Sequence, residues 1–413
     1  MYYLVIIHIP FALDADGSAL TGDMWLRDLR GMADAIGPIT VAAPCIAPEQ
    51  LTARGAGSFS MGRIAPDDPQ LHFLPLPSYD SASTLLRSSQ QTWRLLREYI
   101  AEADLVHIDS GGWPIAQGQF GFLLARRMKK KIMLFLGDGA DPIGRFQEKL
   151  RRDRSPFKKF TTWILMKEFQ SFFRHAARCA DVTFFHNPIT ESRFARYART
   201  HHTFFRTFVE SELLLTANQV EEKAQRVITE QPLRLIMAGR LIAMKGIHHA
   251  IMALHLARQH GAHVELTILG SGDDEPRLRQ QAVDAGINTH VHFRGTVPYG
   301  PELFDILKGH HGLIVCNLTD EISRNILLAM ACGLALISYD NAATRTLLVH
   351  RQNAFVVPTG NAAALAQSFV QLATDRALCM TLIHAGLHTA SKHTFQACHQ
   401  TRAEYARQVA ALP

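Results

Sequence analysis

Short runs of consecutive aliphatic and β-branched residues alternate with longer amphipathic stretches along this chain, and the pattern occurs twice. In the first half the runs fall at 4–7, 39–43, 105–108, 132–136 and 182–186. In the second they fall at 233–238, 264–269, 291–293, 313–316, 334–338 and 354–357. Runs apolar at every position, rather than at alternate ones, are those of parallel strands covered on both faces. Helical periodicity fills the intervals, at 23–36 and 84–101, then at 245–260, 275–285, 301–308, 323–332 and 362–375. Strand and helix in alternation predict an open parallel α/β sheet, built twice. A chain of 413 residues also exceeds one compact core and fits two domains of roughly 200 residues each.

The polar stretch NQVEEKAQRVITEQP (218–232) separates the halves. It predicts a first domain at 1–228, a second at 229–395, and a closing helix at 396–413 packing back on the first. Composition excludes several classes. With 47% hydrophobic and 19% charged residues the chain is globular rather than disordered. No apolar run reaches the ~18–20 residues that span a bilayer. The apolar opening MYYLVIIHIP lacks a basic leader and a small-residue cleavage site, so it reads as a buried first strand and no export signal is visible. Six scattered cysteines without Cys-x-x-Cys spacing point to a reducing cytoplasm. The adjacent histidine pairs 201–202, 248–249 and 310–311 diverge on any regular element, so no metal site is expected.

Four segments of the second half carry chemistry. In MAGRLIAMKG (237–246) a strand ends, Gly239 permits a tight turn, and Arg240 and Lys245 leave the loop at a helix start. Two cations beside free helix N–H groups suit a diphosphate; a solvated loop with two ordinary charges is the alternative. LTILGSGDDEPRLR (266–279) runs a strand into a turn bearing Gly270 and Gly272, where a ligand can approach the backbone. VHFRGTVP (291–298) supplies a strand, a turn and Thr296. Last comes DEISRNILLAMACGLALISYD (320–340), with Asp320 and Glu321 ahead of a helical run that stops at Gly333.

The order and spacing of these segments resemble family 4 glycosyltransferases, the retaining nucleotide-sugar enzymes of GT-B fold. The resemblance covers 233–400 and includes NAFVVPTGNAAALAQSF (353–369), which is similar to the family's glycine-rich loop and next helix. It implies two doubly wound, Rossmann-like domains facing a central cleft. It implies that Arg240 and Lys245 bind the donor diphosphate and stabilise the departing nucleotide, with no metal or other cofactor. The first of the family's paired acids falls on Asp320 or Glu321. The second, which holds the ribose hydroxyls, falls on Leu328 (or on Ala329, counted from Glu321), and neither is a carboxylate. Losing one charge-assisted hydrogen bond costs about 1.5–3 kcal/mol, so a weakened donor site is expected, with Arg324 and Asn325 as substitute contacts to the nucleotide.

In the first half the loop DADGSALTGDMWLRDL (14–29) is expected to present the backbone of Gly17, Ser18 and Gly22 to donor phosphates or acceptor, with Thr21 capping the helix. A plain strand–helix connection is the other reading. IMLFLGDGADP (132–142) ends a strand in GDGAD. Asp138, with Asp141 second, is placed to accept a hydroxyl proton from an acceptor, unless it only forms an Asx turn. Asp109, at the end of VHID, is a further acceptor-cleft residue.

Between 126 and 178 stand 15 Lys or Arg and five acids, an excess of +10 in a chain of net charge +6. Phe146, Phe157, Phe160, Trp163, Ile164, Phe169, Phe172 and Phe173 are interleaved with them. This pattern suits an interfacial helix on an anionic leaflet; a core-facing helix with a solvated basic rim is the alternative. No nucleic-acid recognition motif accompanies it. The sequence thus predicts a cytoplasmic enzyme, peripheral on the inner face of the membrane, that moves a hexose from a UDP- or GDP-sugar to a saccharide or lipid-linked acceptor. A non-catalytic nucleotide-sugar- or glycan-binding relative is the second reading. A dinucleotide oxidoreductase is disfavoured, because LGSGDDEP lacks the third glycine and does not open its half.

Overall fold

The computed structural model describes residues 1–55, 61–79, 81–109, 117–136, 142–203, 205 and 207–412. The chain divides into two compact units, Met1–Phe205 with Cys398–Pro413, and Arg206–Ala397. In the N-terminal unit a seven-stranded sheet runs edge to edge through His201–Thr203, Val182–Phe185, Lys131–Leu136, Leu105–Asp109, Tyr3–Ile6, Ile39–Pro44 and Leu71–Leu76. Every neighbouring pair is parallel. A separate antiparallel ribbon joins Ala12–Leu13, Ala19–Gly22 and Met61–Ile64. In the C-terminal unit six parallel strands run Val291–Phe293, Val264–Leu269, Leu233–Ala238, Gly312–Val315, Ala335–Tyr339 and Phe355–Val357.

The uniformly apolar runs are the central strands: Tyr3–Ile6 and Leu105–Asp109 are buried at every residue. Helices cover them by single stripes. Asp23–Ile36 buries Leu26, Leu29, Met32 and Ala33, and Ile247–Gln259 buries Ile247, Ala250, Ile251, Leu254 and Ala257, the spacing of one helical face. Leu365, Phe369 and Leu372 of Ala362–Thr374 complete the same core.

Three differences from the sequence reading have physical causes. The stretch taken as a linker is a helix, Ala217–Thr229, closed by a Thr216–Gln219 capping box, so the division falls at 205/206 rather than 228/229. Only Val227 and Lys223 of it are buried, which left almost no apolar stripe to read. The Lys223 ammonium donates to the Lys308 (2.9 Å) and His310 carbonyls, and burial pulls it down to about 8. The three strands of the ribbon also went unread, as did two of the seven-stranded sheet, Leu71–Leu76 and His201–Thr203. Both lie at sheet edges, where Pro75 and a polar composition are tolerated.

The closing segment Cys398–Pro413 belongs to the N-terminal unit. Ala406 and Val409 enter its core, and buried Arg402 donates to both carboxylate oxygens of buried Asp28 at 3.2 and 3.3 Å. The Arg402 guanidinium also lies 5.6 Å from the centre of the Phe135 ring. His399 stands 3.5 Å from Asp28, but burial and then Arg402 hold it down to about 4, so at neutral pH His399 is uncharged and Arg402 carries the ion pair with the carboxylate. Arg402→Ala leaves that charge buried, which is expected to cost roughly 3–5 kcal/mol. Pairing Arg402→Met with Asp28→Ala should recover most of the loss. All four tryptophans lie in this unit, so urea titration by tryptophan fluorescence reads the effect.

Candidate functional site

The carboxyl ends of the C-terminal unit's strands are laced together by backbone. After Leu233–Ala238, Gly239 turns the chain with φ 154°, and Arg240 projects into solvent with no ion pair among the described residues. A single 3-10 turn, Ala243–Lys245, leads to Gly246, which caps Ile247–Gln259 in the left-handed region, with φ 68°. A Cβ there would lie 2.1 Å from the Cys316 carbonyl oxygen, so only glycine fits. The Leu318 N–H donates to the Met244 carbonyl at 2.8 Å and the Cys316 thiol to the Gly246 carbonyl at 3.1 Å. The cation-bearing turn is thereby fastened to the segment that leads to the acids.

Lys245 Nζ lies 2.9 Å from Glu321 Oε2, both side chains partly buried. Spacing alone left Asp320 and Glu321 equivalent; the structure separates them. Glu321 faces the cation, while Asp320 is exposed and accepts the Ala342 N–H through Oδ1 at 3.0 Å. The backbone carbonyl of Glu321 accepts from Asn317 (3.4 Å) and Asn341 (3.3 Å). Neither asparagine was singled out in the sequence, where a buried amide inside DNAAT has no motif to announce it.

Gly270 and Gly272 serve a contact other than the expected one. A Cβ on Gly270 would lie 1.9 Å from the Gly239 carbonyl oxygen, and one on Gly272 would lie 2.4 Å from that of Leu241. They let two turns meet. Leu241 N–H donates to the Ser271 carbonyl (2.9 Å), Asp274 N–H to the Leu241 carbonyl (3.1 Å) and Gly270 N–H to the Gly295 carbonyl (2.7 Å). Ser271 and Thr296 share a hydroxyl hydrogen bond of 3.0 Å at the surface of these turns.

Two expected nucleotide contacts are otherwise engaged. Asn325 donates its amide to the Ala238 carbonyl at 2.7 Å, tying a short helix, Asn325–Ala331, to the strand end that precedes Gly239. Leu328 is 5% exposed, in a helix buried from Ile326 through Ala331, so it does not present a surface to ribose. Arg324, at the N-cap, is exposed.

In the N-terminal unit the 14–22 segment is a hairpin, not an open phosphate loop. The Gly17 and Ser18 N–H groups are already bonded to the Asp14 carbonyl and the Asp16 carboxylate, and Arg63 pairs with both aspartates. Gly22, not Thr21, is the helix N-cap, and Thr21 donates to the Pro10 carbonyl instead. Asp109 is buried at the carboxyl end of its strand, with His8 Nδ1 3.7 Å from its carboxylate. His8, a lone histidine beyond the first strand, gave no sequence signal. Asp138 and Asp141 lie outside the described residues. Among the described residues no group of three or more His, Cys, Asp or Glu is placed to hold a metal ion.

Of the basic region, Arg126 and Arg127 end the helix Gln117–Arg127 and Lys131 opens the strand Lys131–Leu136, while the stretch from 142 on forms two helices, Pro142–Arg152 and Pro156–Cys179. Phe146, Phe169, Phe172 and Phe173 pack into the core. Phe157 (74% exposed), Phe160 (58%), Trp163 and Ile164 instead face solvent on the first turns of the longer helix, beside exposed Lys158, Lys159 and Lys167. Phe160 and Trp163 stack with centroids 6.4 Å apart, and Lys167 lies 5.8 Å from the Trp163 ring centre. No helix among the described residues is long and apolar enough to cross a membrane.

Comparison with known proteins now bears on the cation-bearing unit. The family model "Glycosyl transferases group 1" matches residues 218–388. These residues are a glycosyl transferases group 1 domain. Relatives of this chain include the amylovoran biosynthesis glycosyltransferase AmsK of Erwinia amylovora, 30% identical over 153 residues, 36% of this chain and 37% of that protein. A GDP-mannose-dependent alpha-(1-6)-phosphatidylinositol monomannoside mannosyltransferase of Mycobacterium tuberculosis is 24% identical over 54% of this chain and 60% of its own length. The matches thus span about a third to three fifths of these relatives. Among solved structures, Anabaena HepE in complex with UDP superposes over 99% of this chain and all of its own, with a TM-score of 0.65 at 16% identity. The fold is GT-B, with the group 1 domain as its C-terminal unit.

The burial of Leu328 generates a prediction. Leu328→Glu puts an unpaired carboxylate into the group 1 domain's core, at a cost of roughly 3–5 kcal/mol. Thermal melting should show marked destabilisation, and nucleotide titration should show no gain in affinity.

Proposed function

We propose that this protein is a glycosyltransferase that moves a hexose, with retention, from a UDP- or GDP-sugar to a saccharide or lipid-linked saccharide acceptor in polysaccharide or glycoconjugate synthesis. The observation that carries the reading is the cation turn of the group 1 domain. Arg240 is unpaired among the described residues, and Lys245 is held by Glu321 at the carboxyl end of a parallel sheet, where such sheets bind their ligands. Two cations there offset the charge that develops on a departing nucleoside diphosphate, the electrostatic part of the catalysis. Retention rests on the resemblance to family 4. The acceptor class rests on relatives that make amylovoran or act on a phosphatidylinositol mannoside. On sequence, Asp138, with Asp141 second, supplies the carboxylate for the acceptor hydroxyl, and Asp109 with His8 adds polar groups at the same sheet end. Lys245→Ala is expected to weaken UDP or GDP binding at least about tenfold, the loss of one charge-assisted contact, with an unchanged melting temperature. Calorimetric titration reads it, and equal affinities would refute the clamp.

The aliphatic Leu328 favours the second reading, a binding protein without turnover. Nucleotide release in the presence of lipid-linked acceptors separates the two.

The exposed face of Pro156–Cys179 extends the proposal to the anionic inner surface of the cytoplasmic membrane. Four apolar side chains, three of them aromatic, left in water beside lysines are what an interfacial helix presents to lipid. Flotation with anionic vesicles should capture the protein, less so as salt rises, and Phe157→Ser with Phe160→Ser should release it. Equal binding to neutral vesicles would remove the electrostatic part.

A further inference from the structure

Beyond the clamp, the loop that follows Ala335–Tyr339 grips the acid segment more firmly than a connection requires. Asn341 is 5% exposed and uses both ends of its amide. Its Nδ2 donates to the carbonyls of Thr319 (2.7 Å) and Glu321 (3.3 Å), and its Oδ1 accepts the Ala343 N–H at 2.8 Å. The next residue adds a fourth bond, from the Ala342 N–H to Asp320 Oδ1. The loop is itself anchored. Asp340 N–H donates to the Val357 carbonyl at 2.7 Å, Thr359 Oγ1 donates to the Asp340 carbonyl at 2.6 Å, and Arg345 holds the Asp340 carboxylate at 2.8 and 3.0 Å. Thr319, Asp320 and Glu321 are therefore fastened to a neighbouring strand end by bonds that no ligand has to supply.

We infer that Asn341 is a positioning residue for the Lys245–Glu321 pair, and through it for the nucleotide diphosphate. The inference rests on the donor-site reading above and deepens it. Buried carbonyls demand partners, so the Glu321 backbone stays where the Asn341 amide and, at 3.4 Å, the Asn317 amide point. With that backbone fixed, the Glu321 carboxylate has one reach, which sets where the Lys245 ammonium stands.

Asn341→Asp tests this with little change of shape. The carboxylate still accepts the Ala343 N–H but repels both carbonyls that the amide served. UDP or GDP affinity, whichever the wild type binds better, should fall about tenfold, in proportion to the hydrogen bonds lost. A structural role alone would also lower stability, so the deciding readout is a double-mutant cycle with Lys245→Ala. If Asn341 acts through Lys245, adding Asn341→Asp to Lys245→Ala changes affinity by less than about twofold. Asn317→Ala, which removes the other amide from the same carbonyl, should show the same non-additivity and serves if Asn341→Asp does not fold. Wild-type affinity in a folded Asn341→Asp protein, or losses that simply add, would overturn the inference and leave the clamp standing. A wild type that binds neither UDP nor GDP would overturn both.

Discussion

Backbone meets backbone where the turns after Leu233–Ala238 and Val264–Leu269 come together, and the carboxyl end of the C-terminal unit's sheet is arranged around that contact. Because residues 270 and 272 lack a Cβ, the second turn lies against the Gly239 and Leu241 carbonyls. The third turn then joins through the bond from Gly270 to the Gly295 carbonyl. Three strand ends are thus held at hydrogen-bond spacing without side chains. Arg240, Ser271 and Thr296 project from this lattice at the end of the sheet where helices begin and ligands of parallel sheets bind. A side chain at 270 would prise the turns apart and move all three at once.

Charge at the site is built on that rigidity. The missing second acid is accounted for by burial. A glutamate at 328 would have to leave a helix buried along six consecutive residues, so the chain carries a core contact where the family pattern has a ligand contact. The amide of Asn325 follows the same economy, bonding the Ala238 carbonyl rather than solvent. On the proposed function, what remains for a nucleotide is concentrated on the phosphate side, in Arg240 and the Lys245–Glu321 pair.

The fold was legible wherever burial was uniform. Strands buried on both faces produce unbroken apolar runs, so the central strands of both sheets could be placed from sequence, and Pro301–Lys308 appears with the bounds its proline and following glycine signal. Legibility failed where burial was partial. Ala217–Thr229 offers two buried residues and read as a linker, and the edge strand Leu71–Leu76 contains a proline. At the site, spacing could name a pair of adjacent acids but not choose between them, because adjacent side chains diverge and only the fold decides which meets Lys245. Asn341 illustrates the deeper limit. Its importance lies in two carbonyls contributed by another segment, and a linear sequence does not show which carbonyls lack partners.

The last turns of the chain have a consequence for how the molecule is made. Arg402, Ala406 and Val409 complete a core whose other members all precede residue 206. Domains ordinarily fold in the order of their synthesis, but here the first unit includes residues 398–413, which are synthesised after the whole of the second. While the ribosome translates residues 206 to 397, the N-terminal sheet is without the Arg402 pair to Asp28 and without the Ala406 and Val409 contacts. The C-terminal unit, whose residues are contiguous, can be finished first. The order of completion is therefore the reverse of the order of synthesis, and the window of exposure lasts as long as the second unit takes to emerge.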